Sequence, residues 1–550
     1  MVQNCYLRPH PVRLEPDHLP LQGKAFFASP FLRIEFVRIG ACRRPYNAPP
    51  GASPFSNPNS QLYGGILMRY HSTRSATEFV SGPEAILQGL APDGGLYVPE
   101  NLPKLDIPQL LTRSPMDMAS DILAAFLPEL PDMPGLVRSA YTGKFADSTL
   151  TPTVSVGDFT VTELFRGPTS AFKDVALCML PRLLVASKAA LGRSENTLIL
   201  TATSGDTGKA ALEGFRDVPG VKICVFYPDG GVSPIQRSQM VTQQGDNVAV
   251  FGIRGNFDDA QTGVKNIFAQ CDNGFLPGGV SRLSSANSIN IGRLLPQITY
   301  YFKTYADLLA CGTIQMGETV NFSVPTGNFG DIFAGFLAKE LGLPLGRLVC
   351  ASNANKVLTD FLRSGVYDRR RPLHRTLSPS MDILVSSNLE RLLWYVTDEK
   401  KVRQLMDSLN SEGRYEIPRE VFWIIAEHFY GCFADDETAV ETIRRVWRDH
   451  GYLLDPHTAT GWAAAEKYRS VTSDTRPMAV LSTASPFKFP AAVLKALDAA
   501  PTGDDFKDLR KISAISGLPI PENLANLEHL PAKHTNVIDK DEMLDVVRGM

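Results

Sequence analysis

The chain has 550 residues, of which 44% are hydrophobic and 21% charged, enough apolar material to bury a large core without metal or disulfide staples. Fifty-five Lys and Arg against 58 Asp and Glu leave a formal net charge of -3, which argues against nucleic acid or an anionic membrane as partner. No apolar stretch approaches the roughly 20 residues that span a bilayer, and the eight cysteines form neither a CxxC nor a Cys/His cluster, so no disulfide framework and no metal site is expected. A reducing compartment, the cytoplasm by default, suits that cysteine usage.

Residues 1–67 hold ten prolines and six arginines against three acids and show no sustained helical or strand period. They are expected to be a disordered or non-structural N-terminal extension. Their basic, acid-poor composition also suits an organellar transit segment, although such segments are Ser-rich and amphipathic rather than Pro-rich. From Met68 the pattern is that of a folded chain. Pro83 to Gly89 and Met116 to Phe126 read as short helices, with a turn at Pro92-Asp93-Gly94-Gly95 between them.

An alternation follows. Asn196 to Thr203, Val221 to Tyr227, Val248 to Ile253, Thr319 to Val324, Arg347 to Ala351 and Val480 to Thr483 are short apolar, β-branched runs that predict buried strands. Helical patterns lie between or after them at Thr207 to Phe215, Asp258 to Cys271, Ile332 to Leu341 and Pro490 to Ala499. Strands alternating with helices predict an α/β protein with parallel sheets covered on both faces. Residues 388–450 read as a largely helical insertion, with the charged run Asp398 to Arg403 as a solvated face, and 501–550 as a mixed C-terminal segment.

Two of the predicted strands end in glycine-containing turns ahead of helices. One is Ser204-Gly205-Asp206-Thr207-Gly208; the other is Thr326-Gly327-Asn328-Phe329-Gly330. The first N–H groups of a helix lack partners within it and the macrodipole is positive there, so both turns suit anions at the carboxyl ends of parallel strands. The plainer alternative is an ordinary strand-to-helix turn, with Thr207 as cap. Neither turn is a Walker loop or a GxGxxG dinucleotide motif. A third feature is Lys173, which follows Phe172 in Gly167-Pro168-Thr169-Ser170-Ala171-Phe172-Lys173-Asp174 and opens the apolar run Val175 to Leu184. An amine is nucleophilic only when neutral, and burial favours that state, so a desolvated lysine facing anion-holding turns suits a Schiff base with pyridoxal phosphate. The alternative is a solvated lysine in the first turn of a helix, and Pro181 counts against one long helix.

GPTSAFKD, TATSGDTG, SSANSINIGR, VPTGNFGD and LSTASPFKF occur in that order, after YHSTRS (Tyr70 to Ser75) and ILQGLAPDGGLYVPENLP (Ile86 to Pro103). From about Met68 to the C-terminus the set resembles threonine synthase, a pyridoxal-phosphate family with the fold of tryptophan synthase β. The resemblance implies two parallel-sheet lobes clasping the cofactor, with a helical insertion. It further implies an N-terminal domain over 68–155, a catalytic region over 156–500 and a C-terminal segment over 501–550. Position by position, Lys173 is similar to the lysine that carries the cofactor. Gly327, Asn328, Phe329, Gly330 and Asp331 resemble the loop around its phosphate, and Thr483 the hydroxyl at its ring nitrogen. Ser204, Gly205, Asp206 and Thr207 resemble the loop for the substrate carboxylate. Asn287, Ser288 and Arg293 resemble the set for the substrate phosphate. One position departs: many members of the family have His where this chain has Ser485, which puts the substrate in question rather than the chemistry. Lys488 is expected to be solvated.

The implied reaction converts O-phospho-L-homoserine and water to L-threonine and phosphate, with Lys173 as the base at Cα and Cβ. Substrate and cofactor together bring three anionic groups, and the sequence offers three stretches suited to hold them. A phospho-lyase that releases 2-oxobutyrate and a catalytically silent cofactor-binding paralogue are the alternatives. The sequence is equally compatible with a monomer and a homodimer.

Overall fold

The computed structural model describes residues 68–271, 274–276 and 281–550, so the extension expected over 1–67 lies outside the described residues. Strands β1 (Arg69–Ser72), β2 (Ser75–Ser81) and β3 (Tyr97–Pro99) make a small antiparallel sheet with β1 in the middle. The helix Gly82–Gln88 starts where it does because Ser81 and Glu84 cap it reciprocally and Pro83 sits in its first turn. Ser114 caps the helix Pro115–Phe126 by accepting from Asp117 N, with Pro115 in its first turn. Tyr70, Ile86, Phe126 and Val137 are fully buried in a core that continues into Leu177 and Leu180 of the helix Lys173–Ala190.

Strands β4 (Thr153–Val156) and β5 (Phe159–Glu163) form a hairpin. After the Lys173–Ala190 helix come β6 (Asn196–Ala202), β7 (Val221–Pro228), β8 (Val248–Arg254) and β9 (Ser281–Ser285). They are followed by β10 (Val320–Pro325), β11 (Leu345–Ser352), the antiparallel pair β12 (Val366–Asp368) and β13 (Arg414–Glu416), β14 (Phe429–Phe433), β15 (Met478–Ser482) and β16 (Val537–Asp539). One sheet has the order β16-β8-β7-β6-β9, with every neighbouring pair parallel. The other has the order β14-β11-β10-β15-β5-β4 and is parallel except at the β4–β5 hairpin. Two parallel-sheet lobes are therefore present, as expected. No helix among the described residues is long and apolar enough to cross a membrane.

The continuous apolar character of β6 and β7 follows from burial on both faces. Ile199, Ile223 and Val225 join the main core, whereas Leu198, Leu200, Cys224 and Phe226 join a second cluster with Ile267 and Met543 on the opposite face. Each such aliphatic side chain contributes about 1.5–3 kcal/mol through burial.

Pro181 does not end its helix, which runs unbroken over Lys173–Ala190. Lacking an N–H, Pro181 leaves the carbonyl of Leu177, four residues back, without its helical donor. Gly214 of the helix Asp206–Phe215 packs against that carbonyl; a Cβ at Gly214 would lie 2.0 Å from Leu177 O. The kink residue on one helix and the bare backbone on the other thus set how closely the two approach.

The stretch 388–450 holds the helices Leu389–Val396, Glu399–Ser411, Arg419–His428 and Asp436–His450, but it also contributes β13 and β14, and Phe429–Phe433 is the edge strand of the larger sheet, paired parallel with β11. Its five residues follow directly on the helix Arg419–His428 with no glycine or proline between them, so the change of period has no marker. The charged run Asp398 to Arg403 lies mostly on an exposed face, with Asp398 capping the helix Glu399–Ser411 and Val402 turned inward.

Candidate active site

The site residues come from the carboxyl ends of parallel strands in both sheets, where ligands bind in open α/β folds. A cleft of about 980 Å³, measured with its open mouth, is lined by Lys173, Ser204, Asp206, Thr207, Asn287, Ser288, Arg293, Gly327, Asn328, Phe329, Gly330, Asp331 and Thr483. Of the expected site residues only Gly205 is not part of that lining. Its φ of +130° requires glycine, and Gln236 fills the place of a side chain. Its N–H is spent on Thr203 Oγ1 at 3.0 Å, which also accepts from Gly208 N at 2.8 Å. Thr203 is therefore the capping hydroxyl of this turn, in place of Thr207.

Lys173 is the first residue of its helix and is pinned to the end of β15. Phe172 N donates to Thr483 O at 2.8 Å and Ser485 N donates to Ser170 O at 3.1 Å. The side chain is buried, not solvated. Nζ lies 3.5 Å from Asp206 Oδ2 and 3.2 Å from Ser380 Oγ. Burial lowers its pKa to about 8; Asp206 pulls upward, and Arg293 and Lys488 push down again.

Asp206 is a carboxylate in a turn suited to anions, and its surroundings resolve that conflict. Oδ1 accepts from Lys488 Nζ at 2.6 Å and Gln236 Nε2 at 2.8 Å, while Oδ2 accepts from Ser380 Oγ at 3.2 Å and faces Lys173. Burial opposes ionisation, yet the ammonium groups of Lys488 and Lys173 outweigh it and hold the carboxyl below the usual carboxylate range. The Asp206 side chain is thus committed to these cations, and what its turn offers an anion is backbone N–H and hydroxyl groups. Lys488 contradicts the expectation of a solvated residue, since it is fully buried and also donates to Thr169 O at 3.1 Å. A charged letter in a sequence carries no sign of burial when its partner lies in another element.

The second turn is held from behind. Ser386 Oγ donates to Gly327 O at 2.8 Å, and Asn388 donates through Nδ2 and backbone N to Asn328 O at 2.9 and 3.0 Å. With those carbonyls tied back, the N–H side at the start of the helix Gly330–Glu340 is left for the cleft. Phe329 has a φ of +61°, a strained value for a side-chain-bearing residue, and its buried ring packs 5.3 Å from Phe429. The ring anchors the loop in the core.

Asp331 turns toward the helix Ile298–Ala310. Its Oδ1 accepts from Tyr300 OH at 2.6 Å and Tyr301 OH at 3.0 Å, while Oδ2 is buried without a hydrogen-bond partner among the described residues. Burial raises its pKa to about 6 despite both hydroxyls. A carboxyl that binds its proton more tightly when folded adds stability that is complete below its unfolded value and lost as pH rises through about 6. Asp331→Asn is therefore expected to suffer less of the decline between about pH 4 and pH 6.5, by about 1–3 kcal/mol, in urea midpoints measured on the cofactor-free protein. Parallel declines in both proteins would reject this.

Arg293 is 5% exposed, donates from Nη1 to Ala286 O at 2.8 Å, and has no carboxylate within ion-pair distance among the described residues. Burial lowers its pKa to about 10, which leaves it a cation at neutral pH. Asn287 Oδ1 in the same cleft is also buried, with no hydrogen-bond partner among the described residues. Arg391 holds this stretch from outside, donating to Ser288 O and Ile289 O. Ser485, the departure noted above, is outside the cleft lining and caps the short Pro486–Lys488 turn that carries Lys488.

Sequence reasoning missed Ser380, Gln236, Arg391 and His457. His457 Nε2 accepts from Ser380 N at 3.2 Å, so its other ring nitrogen carries the proton and donates to buried Asp455 at 2.8 Å. Only proximity in the fold reveals these residues.

Comparisons with known proteins point to one family. A family model described as "Pyridoxal-phosphate dependent enzyme" matches residues 156–483, "Threonine synthase N terminus" matches 69–141, and "Threonine synthase, C-terminal" matches 458–548. The threonine synthase of Pseudomonas aeruginosa is 41% identical over 490 residues, covering 85% of this chain and 99% of its own. Human threonine synthase-like 1 is 38% identical over 434 residues, 75% of this chain and 58% of that protein. The crystal structure of pyridoxal-phosphate-bound threonine synthase from Brucella melitensis superposes with a TM-score of 0.77 at 38% identity, over 88% of this chain and 98% of the other.

Proposed function

Because the chain belongs to the threonine synthase family of pyridoxal-phosphate enzymes, we propose that the cleft around Lys173 is its active site and that the lining residues divide the binding of three anionic groups between them. The protein is a pyridoxal-phosphate-dependent lyase that converts O-phospho-L-homoserine and water to L-threonine and phosphate. The observation that carries the assignment to this cleft is the presence of a buried amine and a buried guanidinium that no carboxylate among the described residues neutralises.

The residues present fit the cofactor. Lys173 would carry it, the backbone of Gly327 to Asp331 would hold its phosphate, and Thr483 would meet its ring nitrogen. Support comes from the tied-back carbonyls of Gly327 and Asn328 and from the seam joining Phe172 to Thr483. When bound, pyridoxal phosphate supplies a ring that draws electrons from the substrate carbons next to the amine and so makes their protons acidic.

The chain's own residues do the rest. The Lys173 amine, its pKa lowered to about 8 by burial, takes the proton at Cα and must pass it on before it takes one at Cβ; phosphate leaves from Cγ, water adds its hydroxyl at Cβ, and the three protons released from Cα, Cβ and water go to Cγ, to Cα and to the leaving phosphate. The turn Ser204 to Thr207 binds the substrate carboxylate through its free backbone N–H groups and the hydroxyls of Ser204 and Thr207, with the Asp206 carboxylate balanced by Lys488. Arg293 and Asn287 hold the substrate phosphate and orient it as a leaving group. We place the protein in the cytoplasm, because the six free cysteines among the described residues, four of them buried, suit a reducing compartment.

The test is product analysis on O-phospho-L-homoserine with the cofactor-loaded enzyme. Threonine and phosphate in equal amounts are expected. Phosphate with only 2-oxobutyrate and ammonia would replace the synthase with a phospho-lyase, and no phosphate release would make it a silent paralogue.

A further inference from the structure

Three buried charged groups form a chain at the floor of the cleft. Lys173 Nζ lies 3.5 Å from Asp206 Oδ2, and Lys488 Nζ lies 2.6 Å from Asp206 Oδ1, so one carboxylate is shared between two lysines. Lys488 is 0% exposed and Asp206 2% exposed. Nothing in the roles assigned above uses Lys488 on the substrate, and it is not part of the cleft lining.

Charge arithmetic says what it does. With Lys488 protonated, loss of the Lys173 proton takes the trio from +1 to 0. Without Lys488 the same step would go from 0 to −1 in a buried site, which low dielectric opposes. The carboxylate would then keep its proton-bearing partner. The same logic holds whenever the Lys173 amine is committed away from Asp206, because Lys488 and Gln236 still satisfy the acid.

We infer that Lys488 is a positioning residue that holds Asp206 by ion pairing on the oxygen remote from Lys173 and so frees the Lys173 amine to act as nucleophile and base. The inference rests on the reading that Lys173 is the cofactor lysine. The surroundings are consistent with it. Arg293 adds a second cation facing Lys173, and Asp331 faces Lys173 from the Gly330–Glu340 helix. His457 faces Asp206 from the Pro456–Thr472 helix, and Asp382 lines the cleft. Asp174, which faces Lys488, is occupied by Thr169 N and Oγ1 at 2.8 and 2.5 Å, and Thr169 O takes the other hydrogen bond of Lys488. The lowered pKa of Lys173, about 8, agrees.

The test titrates Lys173 in cofactor-free protein, from the pH dependence of its acylation by an amine-reactive reagent read by mass spectrometry of the Lys173 peptide. Lys488→Met, which keeps the side-chain length and removes the charge, is expected to raise the midpoint by about one unit, or about tenfold less neutral amine at a given pH below it. Adding Asp206→Asn to Lys488→Met is expected to bring the midpoint back to the native value or below. An unchanged midpoint in Lys488→Met, or a raised one that persists in the double variant, would overturn the inference. If Lys488→Met does not fold, Asp206→Asn alone decides: a lowered midpoint supports the shared carboxylate and an unchanged or raised one rejects it. Failure of the functional reading shows differently, as continued covalent uptake of pyridoxal phosphate by a Lys173→Ala protein, since the titration involves no cofactor.

Discussion

Lys173→Ala is expected to abolish turnover, by at least about 1000-fold, and to remove covalent uptake of pyridoxal phosphate. The measurement pairs a phosphate-release assay with visible absorbance before and after borohydride, which traps a lysine-bound cofactor irreversibly. The fold should survive the change. Asp206 keeps Lys488, Gln236 and Ser380 as partners, so no buried carboxylate is left alone. Loss of activity without loss of the folded state separates a chemical role for Lys173 from a structural one; normal turnover in the variant would reject the assignment.

The second large effect concerns Arg293 and has two opposite signs. Arg293→Met is expected to weaken binding of O-phospho-L-homoserine by about 30- to 1000-fold, equivalent to about 2–4 kcal/mol, with uptake of pyridoxal phosphate intact. The cofactor-free variant is expected to unfold at a higher temperature than the native protein, because a buried guanidinium without an acid costs stability that a thioether of similar volume does not. A site that sacrifices stability to hold an unpaired cation does so for an anion yet to arrive. If cofactor affinity fell and substrate KM did not, Arg293 would belong to the cofactor end of the cleft.

How much of this was legible in the sequence depends on the range of the interaction. Strands β6, β7 and β8 were placed within a residue or two because both faces are buried and the chain shows it as unbroken apolar runs. Both glycine turns were legible as strand-to-helix turns, but it was the ordered set of family motifs, not local chemistry, that singled out Lys173. β9 escaped notice: Ser281–Ser285 is polar by composition although four of its five residues are buried. β14 escaped because nothing separates it from the preceding helix. The capping hydroxyl was assigned to Thr207, inside the turn, whereas Thr203 reaches forward to do the work. Lys488 was misread for a deeper reason. Its partner lies in a different lobe, and only the folded chain shows that one acid serves two lysines.

The order of strands in the larger sheet has a consequence for how the molecule is made. β15, from residues 478–482, lies between β10 and β5, and so inserts into the middle of a sheet whose other strands are all synthesised earlier. Until the ribosome has passed that point, the nascent polypeptide carries two unsatisfied strand edges in its interior, the kind of surface on which chains aggregate and chaperones act. Premature termination anywhere before Met478 would therefore remove a central member of the sheet rather than its rim.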